Sequence, residues 1–166
     1  MTFSCRSYDL SGNRTSFSLS VNNKTPKVTT YTYDNLNRLL TTSQDGTSAT
    51  YTYDTNGNRA SVTYDNGLYT TYTYNAANLL TQLTNYSANN AVLSQYTYTH
   101  YLDGNQKTKT DKDNRIATYI YDGLGRLVSE EEKLVGQTLF KAEYTFDDFS
   151  NRASMVVTGL SAYTVN

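Results

Sequence analysis

The sequence is poor in the residues that carry most catalysis and cross-linking. Its 166 residues include no tryptophan, one proline, one cysteine and one histidine. A single cysteine, Cys5, excludes an internal disulfide framework and the paired spacing of a zinc site, and reads as an incidental thiol. His100 stands alone, and a histidine triad needs a nucleophile and an orienting acid beside the ring. No local signature marks either, so His100 reads as a substitution in an aromatic position. The formal net charge of -1 offers no basic footprint for nucleic acid. No apolar run approaches the length of a membrane span. Residues 1–10 show no apolar leader core, in keeping with an array that opens mid-pattern. No 3.6-residue period is sustained, so helices are not expected.

Two short stretches imitate known ligand loops and fail on composition. Gly123-Leu124-Gly125 begins like a dinucleotide fingerprint but lacks its third glycine and following helix. Asp111-Lys112-Asp113-Asn114-Arg115 begins like a calcium loop, yet Arg115 and Ile116 occupy places that need a ligand and a glycine. Both read as turns. Glu130-Glu131-Glu132-Lys133 reads as a solvated hairpin end within an excursion over 130–137, and 85–90 reads as a similar excursion. No catalytic, cofactor-binding or metal-ligating set is assigned.

What the chain has in abundance is tyrosine, 17 residues of it, with threonine between. Tyrosine joins an apolar ring to a hydrated hydroxyl and suits half-buried surfaces. Both residues favour strands. A thin sheet fits this composition better than a thick globule.

The tyrosines recur in one pattern: an aromatic pair at i and i+2, an aspartate, and a polar turn with glycine or asparagine. A basic residue then opens the next strand. The copies are Tyr8-Asp9 with Gly12 and Arg14; Tyr31 and Tyr33 with Asp34 and Arg38; and Tyr51 and Tyr53 with Asp54, Gly57 and Arg59. A worn fourth has Tyr72 and Tyr74. A fifth has Tyr96 and Tyr98, with its turn delayed to Asp103-Gly104-Asn105. The sixth is Tyr119 and Tyr121 with Asp122, Gly125 and Arg126, and the seventh is Tyr144 and Phe146 with Asp147 and Arg152. The second aromatic positions, 8, 33, 53, 74, 98, 121 and 146, are separated by 25, 20, 21, 24, 23 and 25 residues. Such a drifting period marks a repeat architecture with loops of variable length. Leu160–Val165, with Tyr163 in the aromatic position, reads as the first strand of an eighth unit.

Each unit supplies two antiparallel strands. Asp45-Gly46 and Asn66-Gly67 mark hairpins between alternating runs, because tight turns need positive φ. Positive φ is therefore expected at Gly57, Gly67 and Gly125, with Asn37 and Asn78 standing in for glycine elsewhere. The aspartate suits the turn start, where its carboxylate accepts a backbone N–H two residues on. The basic residue is expected to reach it, pairing Asp34 with Arg38, Asp54 with Arg59 and Asp122 with Arg126. Aromatic strands two apart lie about 9.6 Å from each other. Successive rings therefore should not stack, and Leu40, Val62, Leu80 and Val128 should come between them.

The fold class expected is all-β: a curved or spiralling antiparallel meander of about seven two-stranded repeats. Residues 1–166 would form a single array, part of a longer shell. An open strip of about 15 strands must curl. The alternative is a β-propeller, because two units match the length of a four-stranded blade.

These units resemble the RHS or YD repeat family, written Y-x-Y-D-x-x-G-R or Y-D-x-x-G-N-R. Tyr119–Leu127, Tyr51–Arg59 and Tyr8–Arg14 match most closely, while Asn75, Thr99 and Asp103 depart at the aspartate or turn positions. The resemblance implies a long sheet strip spiralling into a hollow shell, which in bacterial toxin complexes encloses a toxic domain. It extends to wall-associated bacterial proteins and to teneurins, the animal adhesion receptors. The function it implies is structural: a segment of a secreted or cell-surface shell that encapsulates a toxin domain or presents an adhesive surface, and not an enzyme. Expected partners are neighbouring repeats, a second copy of the chain, or an enclosed toxin domain, without nucleic acid or a membrane span. The alternative is a carbohydrate-binding module for cell-surface glycan, since tyrosine and polar strands also suit sugars.

Overall fold

In the computed structural model, residues 2–22 and 24–159 are described. Fourteen strands follow one another: β1 (Thr2–Tyr8), β2 (Arg14–Val21), β3 (Lys27–Tyr33), β4 (Leu39–Gln44), β5 (Thr47–Tyr53), β6 (Arg59–Tyr64) and β7 (Tyr69–Tyr74). Then come β8 (Leu80–Tyr86), β9 (Val92–His100), β10 (Gln106–Asp111), β11 (Arg115–Tyr121), β12 (Leu127–Leu134), β13 (Gln137–Phe146) and β14 (Arg152–Thr158). They lie in one antiparallel sheet in sequence order, an unclosed meander. The propeller alternative would break this order into separate four-stranded blades, and the sheet does not. Among the described residues there is no helix. The expected strand at Leu160–Val165 lies outside the described residues.

The chain divides into two units, Met1–Tyr72 with Asn85–Leu93 and Thr73–Thr84 with Ser94–Asn166. Each has two unlike faces. The first unit carries Tyr31, Tyr33, Tyr51 and Tyr53 half-buried on one face, with Thr32 and Thr52 exposed on the other. There Thr32 and Thr41 share a hydroxyl hydrogen bond of 2.7 Å, and Thr52 and Ser61 another of 2.7 Å. The second unit repeats the device at Thr73–Thr81, Thr99–Thr108 and Thr145–Ser154. Period-two alternation thus places rings on one side and a row of hydroxyl rungs on the other.

Buried residues are few and small. Ala49, Val62 and Thr70 are buried in the first unit, and Thr84, Ala117 and Ala142 in the second. Ala49, Thr70, Ala117 and Ala142 each stand two residues before an aromatic, where large neighbouring rings cover a small side chain. Val62 faces Tyr51 across the ladder, as the cross-strand argument requires.

Several segments differ from the sequence reading. The excursions over 85–90 and 130–137 are shorter than expected, because β8 runs to Tyr86 and β12 to Leu134. The Glu130–Lys133 run is therefore half-buried strand, not a solvated hairpin end. Alternation gives its members partners on both faces: Arg115 Nη1 donates to Glu132 at 2.9 Å, and Lys133 Nζ lies 2.9 Å from Glu131.

At the β12–β13 hairpin, Val135 (φ 50°) and Gly136 (φ 77°) make a two-residue turn. Asp45 (φ 53°) and Gly46 (φ 82°) make the same turn between β4 and β5. A β-branched residue is poorly suited to the left-handed region, whereas asparagine and aspartate tolerate it. Val135→Asn is therefore expected to stabilise the chain by about 1 kcal/mol, raising the thermal midpoint by roughly 2–4 °C. A scan by circular dichroism measures it, and an unchanged or lower midpoint would contradict this account of the turn.

Candidate functional site: the repeat turns and their rungs

Each repeat turn is built on the same hydrogen bonds. The residue at the turn start donates its N–H to the carbonyl four residues on, and its own carbonyl accepts from the residue three on. Asp34 N–H donates to Arg38 O at 2.9 Å while Asn37 N–H donates to Asp34 O at 3.0 Å. Asp9, Asp54, Asn75, Asp122 and Asp147 start equivalent turns. The residue three on takes positive φ: Gly12, Asn37, Gly57, Asn78, Gly125 and Ser150. The values at Gly57, Gly67 and Gly125 are 87°, 81° and 75°, as the turn chemistry demands.

The aspartate side chain completes the turn. One oxygen accepts backbone N–H groups two and four residues on, at 2.9 Å from both Leu36 and Arg38 in Asp34. Its other oxygen accepts from the side chain four on: Arg38 Nε at 2.6 Å for Asp34, Arg126 Nε at 2.7 Å for Asp122, and Asn58 Nδ2 at 3.1 Å for Asp54. At Asp54 the place that Arg38 and Arg126 take in their turns is held by Asn58. Arg59 is one residue further along and lies over the Tyr51 ring at 4.9 Å. Asn75 accepts the same two backbone N–H groups as an aspartate, from Ala77 and Leu79.

The fifth repeat is displaced from its expected register. Its turn runs from Tyr101, whose N–H donates to Asn105 O at 2.8 Å, with Gly104 at positive φ. The aromatic slots therefore fall to Tyr98 and His100, with His100 paired to Gln106. Tyr96 occupies the place that Ala117 and Ala142 hold elsewhere.

Successive repeats are joined by side chains leaving the turns. In the first unit Asn13 Nδ2 donates to Asn37 Oδ1 at 2.8 Å, and a methyl on Gly57 would stand 3.8 Å from Arg38 Nη1. In the second, Leu79 reaches Gly104, Asn105 reaches Gly125, and Arg126 Nη1 donates to Ser150 Oγ at 3.1 Å. In every case the residue four after a turn start meets the left-handed residue of the following turn. Guanidinium groups also cover the next repeat's rings: Arg14 over Tyr31 at 4.6 Å, Arg38 over Tyr53 at 4.4 Å and Arg126 over Phe146 at 4.6 Å. Cation–π contact, more than the expected aliphatic spacers alone, fills the gap between aromatic strands. A direct ring contact between repeats is made by Tyr101, edge-on to Tyr121 at 6.2 Å. Tyrosine hydroxyls tie back to the preceding repeat, Tyr33 to Arg14 O at 2.9 Å and Tyr53 to Leu39 O at 2.8 Å.

These turns carry a pH signature. Asp34 and Asp122 are held below the ordinary carboxylate value of 3.8, first by the backbone N–H of Arg38 and Arg126. Asp9 and Asp147 are lowered first by the side-chain amides of Asn13 and Asn151. Desolvation is the largest single influence on Asp54 and would raise it, but the combined Asn58, Asn56 and Gly57 hydrogen bonds lower it on balance. A carboxylate with a depressed folded pKa stabilises the fold above its unfolded value and loses that contribution as pH falls through the folded value. The urea midpoint is thus expected to hold from neutral pH to about 5 and to fall steeply below 3.8. Asp34→Asn with Asp122→Asn, which Asn75 shows the turn accepts, should flatten the acid limb. An acid limb unchanged in that variant would contradict the assignment.

Comparison with known proteins agrees with the repeat geometry. A family profile described as the teneurin YD-shell matches residues 4–148. No curated protein sequence matches significantly. Among solved structures, the crystal structures of TcdB2-TccC3-Cdc42 and of TcdB2-TccC3 each align with a TM-score of 0.63 at 17% identity. They cover 95% and 93% of this chain and 11% of theirs. The Photorhabdus luminescens Tc holotoxin pore aligns with a TM-score of 0.62 at 16% identity, over 92% of this chain and 11% of that one. The chain thus spans about a tenth of the length of these structures.

Proposed function

This chain belongs to the teneurin YD-shell family, and on that premise we propose that it is a wall segment of a secreted or cell-surface shell. That shell encapsulates a toxin domain or presents an adhesive surface, and the whole of 1–166 acts as one array within it. The family is one of structure and not of catalysis. The observation that supports this reading best is the turn-to-turn ladder. Side chains of each turn reach the next repeat, as Asn13 reaches Asn37 and Arg126 reaches Ser150, and the glycine-rich turn at Gly125 is met by Asn105. Partners in this reading are neighbouring repeats, a second copy, or an enclosed domain.

A glycan array probed with the tagged chain separates this reading from a carbohydrate-binding module. No saturable glycan ligand is expected. A defined ligand whose binding is lost when Tyr64, an exposed ring beside a hydroxyl-lined cleft, is changed to alanine would replace the wall reading.

A further inference from the structure

The aromatic face of the second unit contains a charged well. Its floor is Ala117, only 8% exposed, and its volume is about 160 Å³. That is below the roughly 300–1,000 Å³ of ordinary small-molecule pockets, so it admits one side chain and not a nucleotide or a sugar chain. Tyr96 and Tyr119 form two of its walls.

The charges around the well do not cancel. Arg115 donates to Glu132 at 2.9 Å and stands 3.9 Å from Asp111, so these three groups close on one another. Lys109 is held over the Tyr96 ring, its Nζ 4.6 Å from the centroid. Glu130 is left over. It is half-buried on β12 between Tyr119 of β11 and Ala142 of β13, and no ion pair formed among the described residues includes it. The Tyr119 hydroxyl is pushed up first by burial and next by the Glu130 charge, which places that carboxylate's field inside the well. Two cations against three carboxylates leave one negative charge in excess. A half-buried carboxylate without a partner is costly, and an aromatic wall beside it favours a cation.

We propose that the Ala117 well is a binding site for a basic side chain of another polypeptide, taking a lysine ammonium onto Glu130 against the Tyr119 ring. The site is independent of what the shell encloses. Lys109 is its internal competitor, committed to Tyr96 but close enough to repel the incoming charge.

The test uses the full chain with ¹³C-labelled alanine methyls, titrated with Nα-acetyl-lysine methylamide and, separately, Nα-acetyl-glutamate methylamide. The Ala117 methyl should shift saturably with the lysine probe alone. Glu130→Gln should weaken that titration at least tenfold while the Ala49 methyl keeps its position. Lys109→Met should tighten it, which separates a binding effect from damage to the fold. The proposal is overturned by equal shifts with both probes, by no shift, by a Glu130→Gln titration like the parent's, or by loss of binding in Lys109→Met.

Discussion

A Gly67→Ala chain is expected to unfold at a much lower urea concentration than a Gly12→Ala chain, although each change adds one methyl group. Both glycines have left-handed backbones, φ +81° at Gly67 and +85° at Gly12. Strain of about 1–2 kcal/mol is therefore common to both. The surroundings differ. A Cβ on Gly12 meets nothing within 4 Å, whereas one on Gly67 stands 2.7 Å from the Ala88 methyl and 3.4 Å from its Cα. Relief would have to come from the Ser87–Ala91 turn, which is pinned on both sides. Tyr69 stacks on Tyr86 at 4.6 Å between centroids, and the Tyr69 hydroxyl donates to Asn90 at 3.0 Å. Overpacking of this kind adds about 1–3 kcal/mol. Gly67→Ala should thus cost roughly 2–5 kcal/mol against 1–2 for Gly12→Ala. Ala88→Gly in the Gly67→Ala background should recover the overpacking and leave only the strain, a coupling that a double-mutant cycle reads directly. Equal midpoints for the two single variants would mean that the Ala88 turn does not lie against Gly67.

Much of this architecture is legible from the chain because the fold is local. Each strand pairs with its neighbour in sequence, so alternation and turn chemistry together specify the ladder. The elements read incorrectly share a different cause: a count that alternation alone does not settle. In the run from Tyr96 to Tyr101, period two allows the aromatic pair to be Tyr96 and Tyr98 or Tyr98 and His100. The decision belongs to the left-handed residue, which stands three after the turn start, so Gly104 dictates Tyr101. The same count assigns Asp54 from Gly57 and Asp122 from Gly125. The arginines follow a similar rule. A residue four after the aspartate folds back to its carboxylate, as Arg38 and Arg126 do. Arg59, five after, lies over Tyr51 of its own repeat, whereas Arg38 and Arg126 cover rings of the next. The strand at Glu130–Lys133 is hidden by composition: an acidic run looks like a loop until Glu132 is given its cross-strand partner Arg115. The Ala117 well is not legible at this level, because it depends on which of eight side chains from four strands close on each other.

The isolated chain is expected to self-associate through the free edge of β1, with an apparent mass that rises with concentration. All seven residues of Thr2–Tyr8 are exposed, and among the described residues β1 is hydrogen-bonded on one side only, to β2. Its outward N–H and C=O groups form a template for another strand, and neither a proline nor a covering helix blunts them. Phe3, 54% exposed, and Cys5 alternate on one face of this strand and add apolar surface to the edge. On the proposed wall reading, the strand of an adjoining repeat takes this place. In solution a second β1 is the available substitute. Light scattering under reducing conditions, which removes any Cys5 disulfide between copies, measures the effect. Phe3→Lys with Cys5→Lys brings like charges together whenever two β1 strands pair, and should raise the concentration for association about tenfold, near 1.4 kcal/mol. Association that ignores these substitutions would move the contact to another surface. A mass that stays monomeric at every concentration, together with slow amide exchange along β1, would show the edge already covered and rule out β1 as the contact between copies.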